Sequence, residues 1–132
     1  MKVLIDTNIL ISAIISNGAP YKAYIKAVSY PYQGVICDQN VVELRRIFNR
    51  KFSRHIEDME MFLAIALQTL ELVHVPDKEI EQEKQIRDIN DRPILRAAIH
   101  AGVDILLTGD KDFLESGITK PVIMTANQFL EL

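Results

Sequence analysis

ILLTGDKD, residues 105 to 112, is a run of aliphatic side chains that ends in two aspartates and a lysine. VLIDTN, residues 3 to 8, repeats this pattern near the start of the chain, where Asp6 follows directly after aliphatic residues. Short continuous aliphatic runs are typical of parallel strands that are covered by helices on both faces. Both stretches therefore predict a buried strand with a carboxylate at its carboxyl end.

Similar aliphatic runs recur along the chain and alternate with helical patterns, in which apolar residues repeat at spacings of three and four. The predicted strands cover residues 2–5, 34–37, 104–108 and 122–124, with 72–75 as a further candidate. The predicted helices cover residues 8–15, 21–29, 40–48, 56–70 and 91–101. This alternation predicts a single α/β domain over residues 1–132, with a mainly parallel central sheet flanked by helices.

Composition and charge exclude several classes of protein. The 132 residues carry a formal net charge of -3 at pH 7, so bulk electrostatics gives no general attraction to nucleic acid or to an anionic membrane. A polyanionic ligand would need a local basic patch or bound cations. We find no signal-peptide core and no apolar run long enough to span a bilayer, and we expect a cytoplasmic location. Cys37, the single cysteine, lies in the apolar run GVIC and is interpreted as a packed thiol.

Four acidic residues are expected near one edge of the predicted sheet. Ligands of open α/β sheets bind outside the carboxyl ends of the strands, where Asp6 and Asp110 lie. Asp91 begins the helix that leads into the TGD strand, and the start of such a crossover helix faces the same edge. Glu43, in the second turn of the helix after the GVIC strand, can supply a fourth carboxylate to one pocket.

Carboxylates that converge without Arg or Lys partners repel one another, so such a cluster requires a cation. Oxygen ligands suit Mg²⁺ or Mn²⁺. His55, His74 and His100 share no spacing that would indicate zinc. The pattern predicts a Mg²⁺ or Mn²⁺ site, with Asp88 and Asp112 as further candidates at its edge.

Each acid also has a purely structural interpretation. Asp6 and Asp91 can cap helices, and Asp110 with Asp112 can form a turn. Their joint occurrence at the ends of one sheet favours a site over these separate roles. Asp38 closes the second predicted strand and opens a helix, and for it we adopt the interpretation of a helix cap.

Four features follow one another in order: DTNILISA at residues 6–13, a helical glutamate at Glu43, NDRPILRAAIHAGVDILLTGD at residues 90–110, and DKDFL at residues 110–114. In order and spacing they resemble the PIN domain family over nearly the full chain. VVELRRIFNRKF, residues 41–52, and the long helix after it resemble the branch of toxins from toxin–antitoxin pairs.

The resemblance implies a Rossmann-like sheet and a metal-dependent endoribonuclease that acts on RNA. The positions that match the acidic quartet of the family are Asp6, Glu43, Asp91 and Asp110. Asp112 matches a further acidic position, and Asn8 and Thr108 match small polar residues beside the site, which can bind a phosphate oxygen, a metal-bound water or a neighbouring carboxylate. A protein antitoxin and a homodimer are also implied, with apolar helices near the amino terminus able to form the dimer interface.

RRIFNRKFSRH, residues 45–55, is the only concentrated basic stretch, and cations beside aromatic residues suit a flexible RNA backbone with exposed bases. We take Arg50 and Lys51 as candidate RNA-binding residues, and Lys111, between two aspartates, as another candidate phosphate contact. The alternative is an ordinary solvated helix end with Phe48 and Phe52 in the core.

Three further functions stay open beside the toxin. One is an RNA-processing PIN nuclease without an antitoxin, and the others, from a different class, are a non-catalytic binding domain and a receiver-type phospho-signalling domain. A receiver domain requires an acidic pair after its first strand and an aspartate at the end of its third. Here the first strand delivers only Asp6, and the candidate third strand, LVHVP, ends without an acid.

Overall fold

The aliphatic runs form one five-stranded sheet in a computed structural model that describes residues 1–132. The strands are β1 (Lys2–Ile5), β2 (Gln33–Cys37), β3 (Glu71–Val73), β4 (Ile105–Leu107) and β5 (Val122–Met124). Their order is β3-β2-β1-β4-β5, and every neighbouring pair is parallel. The predicted α/β fold is confirmed, and the further candidate at 72–75 is the short edge strand β3.

Seven α-helices connect and cover the strands. They are α1 (Thr7–Ile15), α2 (Ala19–Ala27), α3 (Asp38–Lys51), α4 (Ile56–Ala66), α5 (Arg92–His100), α6 (Lys111–Leu114) and α7 (Ala126–Leu130). The sequence did not predict α6 and α7, because helices of four and five residues are too short to show a periodic pattern. No helix is both long and apolar enough to cross a membrane.

The sheet separates two hydrophobic cores. Val3 and Ile5 of β1 face one core, which α1, α2, α3, α4 and α7 complete, whereas Leu4 faces the other core, formed mainly with α5. All three strand residues have no exposed surface. Side chains alternate between the two faces of a strand, so a strand covered on both faces is apolar at every position. This explains the continuous aliphatic runs.

The junction between β2 and α3 differs from the sequence expectation. Cys37, not Asp38, occupies the N-cap position, and the side chain of Asn40 accepts a hydrogen bond from the Cys37 amide at 2.8 Å. Asp38 is the first helical residue, and its carboxylate accepts a hydrogen bond from the amide of Val75 at 3.0 Å. Asp38 therefore ties the end of β3 to α3. Burial raises the pKa of the Cys37 thiol to about 12, as befits a packed side chain.

A buried ion pair attaches the connection between β3 and β4 to α5. Arg96 of α5 donates two hydrogen bonds of 2.8 Å to the carboxylate of Glu83, which lies in the short 3₁₀ helix Glu81–Gln85. A third hydrogen bond of 2.9 Å runs from Arg96 to the carbonyl of Pro76. The side chains of Arg96 and Glu83 are only 11% and 3% exposed. The pair fixes the position of α5 and therefore of Asp91, the residue directly before it.

Replacing Glu83 with Ala should lower the free energy of unfolding by about 3 to 5 kcal/mol, because Arg96 is left as a buried charge without a partner. Urea unfolding measures this change. Glu81→Ala is the matched control, since Glu81 makes only an exposed pair with Lys84, and it should change stability by less than about 0.5 kcal/mol. Equal effects of the two substitutions would contradict a structural role for the buried pair.

Candidate metal centre

The four predicted carboxylates come to the carboxyl edge of the sheet on four different elements. Asp6 directly follows β1, and Asp110 lies shortly after β4, the strand next to β1. Glu43 lies in the second turn of α3, and Asp91 directly precedes α5. The charges of Glu43 and Asp110 act on Asp6, and those of Asp110 and Asp6 act on Asp91. The four groups thus form one electrostatic cluster.

Asp6 is the most deeply buried member, with 5% of its surface exposed. Its carboxylate accepts hydrogen bonds from the Thr7 amide at 2.8 Å, from the Thr108 hydroxyl at 2.7 Å and from the Asn8 side-chain amide at 3.5 Å. All three donors are neutral, so they orient the carboxylate without cancelling its charge. Thr108 and Asn8 both bind a neighbouring carboxylate, which is one of the roles that the resemblance implied for them.

The electrostatics of the cluster oppose full ionisation. Burial, together with the charges of Glu43 and Asp110, raises the pKa of Asp6 to about 6. Burial and the neighbouring Asp110 raise the pKa of Asp91 to about 8. None of the four acids forms an ion pair with an Arg or Lys side chain. A like-charged, partly desolvated cluster of this kind favours a bound cation.

In the loop after β4, Asp110 caps a helix and also belongs to the acidic cluster. Asp110 caps α6 through one carboxylate oxygen, which accepts a hydrogen bond from the Asp112 amide at 2.9 Å. The Thr108 hydroxyl accepts one from the Asp110 amide at 3.0 Å, and the Asn8 side-chain oxygen accepts one from the Gly109 amide at 3.2 Å. Asp110 therefore has both roles at the same time. Asp91 occupies the N-cap position of α5, but its side chain makes no capping hydrogen bond.

Glu43 and Asp91 face each other across an open cleft of about 440 Å³ that no hydrophobic residue lines. The lining residues are Gln39, Glu43, Arg46, Asp88, Asn90 and Asp91. The side chain of Gln39 donates a hydrogen bond of 3.2 Å to Glu43. Sequence reasoning missed Gln39, although its position four residues before Glu43 on one helix face was a usable signal.

Asp88 and Asp112 lie at the edge of the cluster. Carboxylate oxygens of Asp88, Asp91 and Asp112 come within 4.8 Å of one another. Asp112 also forms an ion pair of 3.0 Å with Arg87, which binds Glu115 at the same distance. Arg87 therefore offsets part of the charge of Asp112. No local pattern in the sequence indicated Arg87. The role of Asp112 as a metal ligand stays a prediction.

The predicted RNA-binding cations lie in two places. Arg50 and Lys51 are the last residues of α3, and at 1.5 Å per residue they lie about 10 to 12 Å beyond Glu43 along the helix axis. They do not line the acidic cleft, whereas Arg46 does. Lys111, the exposed first residue of α6, lies directly between Asp110 and Asp112 in the chain.

The aromatic residues of the basic stretch pack inside the protein. Phe48 has no exposed surface, and its ring centroid lies 5.3 Å from that of Phe52, which packs against the same core. Arg45 forms a bidentate pair with Glu60, at 2.9 Å and 3.0 Å. Phe48 therefore belongs to the core, as in the alternative interpretation of this stretch, and Phe52 packs against that core with part of its surface exposed.

The largest cavity of the molecule, about 530 Å³, lies away from the acids. It is bordered mainly by apolar residues from the amino ends of β4 and β5, among them Val103, Pro121 and Val122. None of the predicted site residues lines it. Two of the four predicted carboxylates, Glu43 and Asp91, line the smaller, polar cleft instead.

Residues 2–112 match the family described as PIN domain. The chain belongs to the PIN domain family. Its sequence has no significant match among curated proteins. Family membership and the parallel sheet agree with the resemblance found in the sequence.

Three solved structures illustrate how this PIN domain compares in fold. VapBC2 from Rickettsia felis, bound to a DNA fragment from its promoter, is 20% identical over 95% of this chain and 98% of that chain, with a TM-score of 0.71. A toxin–antitoxin complex from Klebsiella pneumoniae is 24% identical over 94% and 97%, with a TM-score of 0.68. VapC20 from Mycobacterium tuberculosis, described as a Sarcin-Ricin loop cleaving toxin, is 15% identical over 89% and 97%, with a TM-score of 0.64. At these identities the likeness shows the fold.

Asp91→Asn should stabilise the metal-free protein at about pH 8. Folding raises the pKa of Asp91 from the ordinary 3.8 to about 8, so between these values the folded chain holds a proton that the unfolded chain has released. The free energy of unfolding of the wild type therefore falls as the pH rises from about 4 to about 8. The amide removes this loss, and we expect a gain of about 1 kcal/mol at about pH 8, allowing for partial exposure, and almost none near pH 4.

Thermal melting with a chelator, at both pH values, measures this difference. Asp104→Asn is the matched control, because Asp104 is an exposed aspartate that directly precedes β4, at the opposite end of the sheet from Asp91. Its effect should depend little on pH over this range. An Asp91→Asn variant that melts below the wild type at about pH 8 would show that this carboxylate stabilises the fold instead of straining it.

Proposed function

We propose that this PIN domain is a metal-dependent endoribonuclease and the toxin of a toxin–antitoxin pair. The observation that carries the proposal is the convergence of Asp6, Glu43, Asp91 and Asp110 without any cationic partner. Such a cluster is costly for the folded protein unless a ligand uses it. Solved structures of similar fold come from toxin–antitoxin complexes and from a toxin that cleaves a Sarcin-Ricin loop, which supports the same activity here.

The residues fit a hard divalent cation. Asp6, Glu43, Asp91 and Asp110 each offer carboxylate oxygens, and no histidine or cysteine is among the candidate ligands. Burial and the neighbouring acids raise the pKa of Asp6 and of Asp91, so the metal-free cluster disfavours its full negative charge. Asp6, Glu43, Asp91 and Asp110 would hold Mg²⁺ or Mn²⁺, with Asp112 at the edge. When bound, the ion supplies Lewis-acid chemistry for hydrolysis of a phosphodiester bond.

The remaining polar groups of the chain position this machinery. Thr108 holds the carboxylate of Asp6 and the amide of Asp110 through one hydroxyl group. Asn8 connects the carboxylate of Asp6 to the backbone of Gly109, and so joins the loops that follow β1 and β4. Two carboxylates on adjacent strands are therefore pre-oriented before substrate binds, which is the contribution that a protein makes to such catalysis. Lys111 remains a proposed phosphate contact.

The partners are proposed on separate grounds. A protein antitoxin is supported by the similar folds solved in toxin–antitoxin complexes. A homodimer is supported by apolar residues exposed at the end of α1 and on α2, namely Ile15, Tyr21 and Ile25. Both proposals follow the expectation from the sequence, as does the cytoplasmic location.

The receiver-type alternative is excluded by topology. Receiver domains have the strand order 2-1-3-4-5, whereas this sheet has the order β3-β2-β1-β4-β5. In addition, β3 ends at Val73 with no acid at its tip. A non-catalytic binding domain keeps the same fold and differs from the nuclease in activity, so an activity measurement separates the two.

Metal binding should be visible without any substrate. At a concentration of Mn²⁺ or Mg²⁺ about 100 times its dissociation constant, a site that exists only in the folded state adds about 2.7 kcal/mol, which is a rise of several degrees in melting temperature. Asp110→Asn should lose most of this rise, while Asp104→Asn should keep it. A melting temperature that no divalent ion raises would contradict the proposed metal centre.

Cleavage of an unstructured, end-labelled RNA panel tests the activity itself. Wild-type protein should cut with Mg²⁺ or Mn²⁺ and not with a chelator, and Asp6→Asn and Asp110→Asn should each lower the rate by at least about 100-fold, because each removes a proposed ligand. Asp104→Asn, purified identically, controls for trace ribonuclease and should cut like the wild type. Folded, antitoxin-free wild type that cuts no RNA in any metal would favour the binding domain instead.

A further inference from the structure

Arg46 is the only cation among the six residues that line the acidic cleft. It lies on α3, three residues after Glu43 and seven after Gln39, so these three side chains share one face of the helix. Asp88, Asn90 and Asp91 form the other wall of the cleft. A single exposed guanidinium therefore stands at the rim of the carboxylate cluster.

Arg46 has no partner within the protein, although acids surround it. Among the other arginines, Arg45 pairs with Glu60, Arg87 with Asp112 and Arg96 with Glu83. Arg50 and Arg54 also lack a partner, but unlike Arg46 they do not line the cleft. Arg46 forms neither an ion pair nor a side-chain hydrogen bond. Its planar group carries five N–H donors, and none of them is used by the folded chain. A structural role through ion pairing is thus absent.

The unused donors match the chemistry of a phosphodiester. A guanidinium binds phosphate oxygens through paired hydrogen bonds, and charge-assisted contacts of this kind are the strong ones. A protein with a net charge of -3 needs a local cation to hold a polyanion beside an acidic cleft.

We propose that Arg46 binds a backbone phosphate of the RNA strand and so fixes where the strand crosses the cleft between α3 and the start of α5. The proposal rests on the ribonuclease function above. It assigns the contact to Arg46 at the cleft, whereas the sequence pointed to Arg50 and Lys51 at the far end of the helix. Arg46 is a substrate-binding residue in this assignment and touches no reacting atom.

The test measures RNA affinity separately from cleavage. Every protein carries Asp110→Asn so that the RNA stays intact, and binding of a 5′-fluorescein-labelled, unstructured RNA oligonucleotide is followed by fluorescence anisotropy in a chelator at several monovalent salt concentrations. The variants added to this parent are Arg46→Ala, Arg46→Lys and Lys120→Ala. Lys120→Ala removes the same charge from an exposed position at the opposite edge of the sheet.

Arg46→Ala should raise the dissociation constant about 10-fold, as expected for the loss of one charge-assisted contact. It should also reduce the slope of log affinity against log salt by about 0.7, the value for one phosphate contact on a single strand. Arg46→Lys should restore part of the affinity and most of the slope, and Lys120→Ala should change the affinity less than about 2-fold. A purely structural role would leave the salt slope unchanged.

An Arg46→Ala protein that is folded but binds RNA like its parent overturns the assignment, as does a parent that binds no RNA. The cleavage experiment distinguishes this failure from failure of the proposed function. If the wild type cuts RNA and Arg46→Ala changes neither affinity nor slope, only the Arg46 contact is refuted. If the wild type cuts no RNA while Arg46→Ala weakens binding as expected, the contact stands and the nuclease does not.

Discussion

A carboxylate buried at the end of the central strand, with no cation beside it, is the constraint around which this PIN domain is built. Asp6 is held there by neutral donors only, from Thr7, Asn8 and Thr108. A buried charge that is hydrogen-bonded but unpaired is costly, and the cost rises when further acids approach. The Thr108 hydroxyl donates a hydrogen bond to Asp6 and accepts one from the backbone amide of Asp110. The group that stabilises the buried carboxylate of Asp6 therefore also holds the second acid close to it.

Another buried carboxylate of the protein, Glu83, is paired with a cation. Glu83 is as buried as Asp6, yet it has the full guanidinium of Arg96, which lowers its pKa. One acid is neutralised by the fold and serves to attach the β3–β4 connection to α5, while the other is left without neutralisation. The contrast shows that the protein can pair a buried carboxylate where attachment is needed. The absence of pairing at the cluster is therefore informative about function.

Much of the site was predictable because parallel strands end at one edge. That rule placed Asp6 and Asp110, and the antiparallel path of connecting helices placed Glu43 and Asp91. Arg50 and Lys51 lie too far along α3 to reach the cleft, since each helical residue adds a rise of about 1.5 Å along the axis. Contacts such as Arg87 with Asp112 join distant parts of the chain and leave no local pattern. The short helices α6 and α7 carry too few residues to show a period.

The strand order has a consequence for how the protein is made. The hydrogen bond between Asp6 and Thr108 joins residues 102 positions apart, because β1 pairs with β4 in the sheet. A nascent chain that has been synthesised only as far as β3 contains Asp6 and Glu43 but neither Thr108 nor Asp110. The acidic cluster cannot form on such a nascent chain. An activity that depends on the cluster therefore appears only after β4 has emerged and docked against β1.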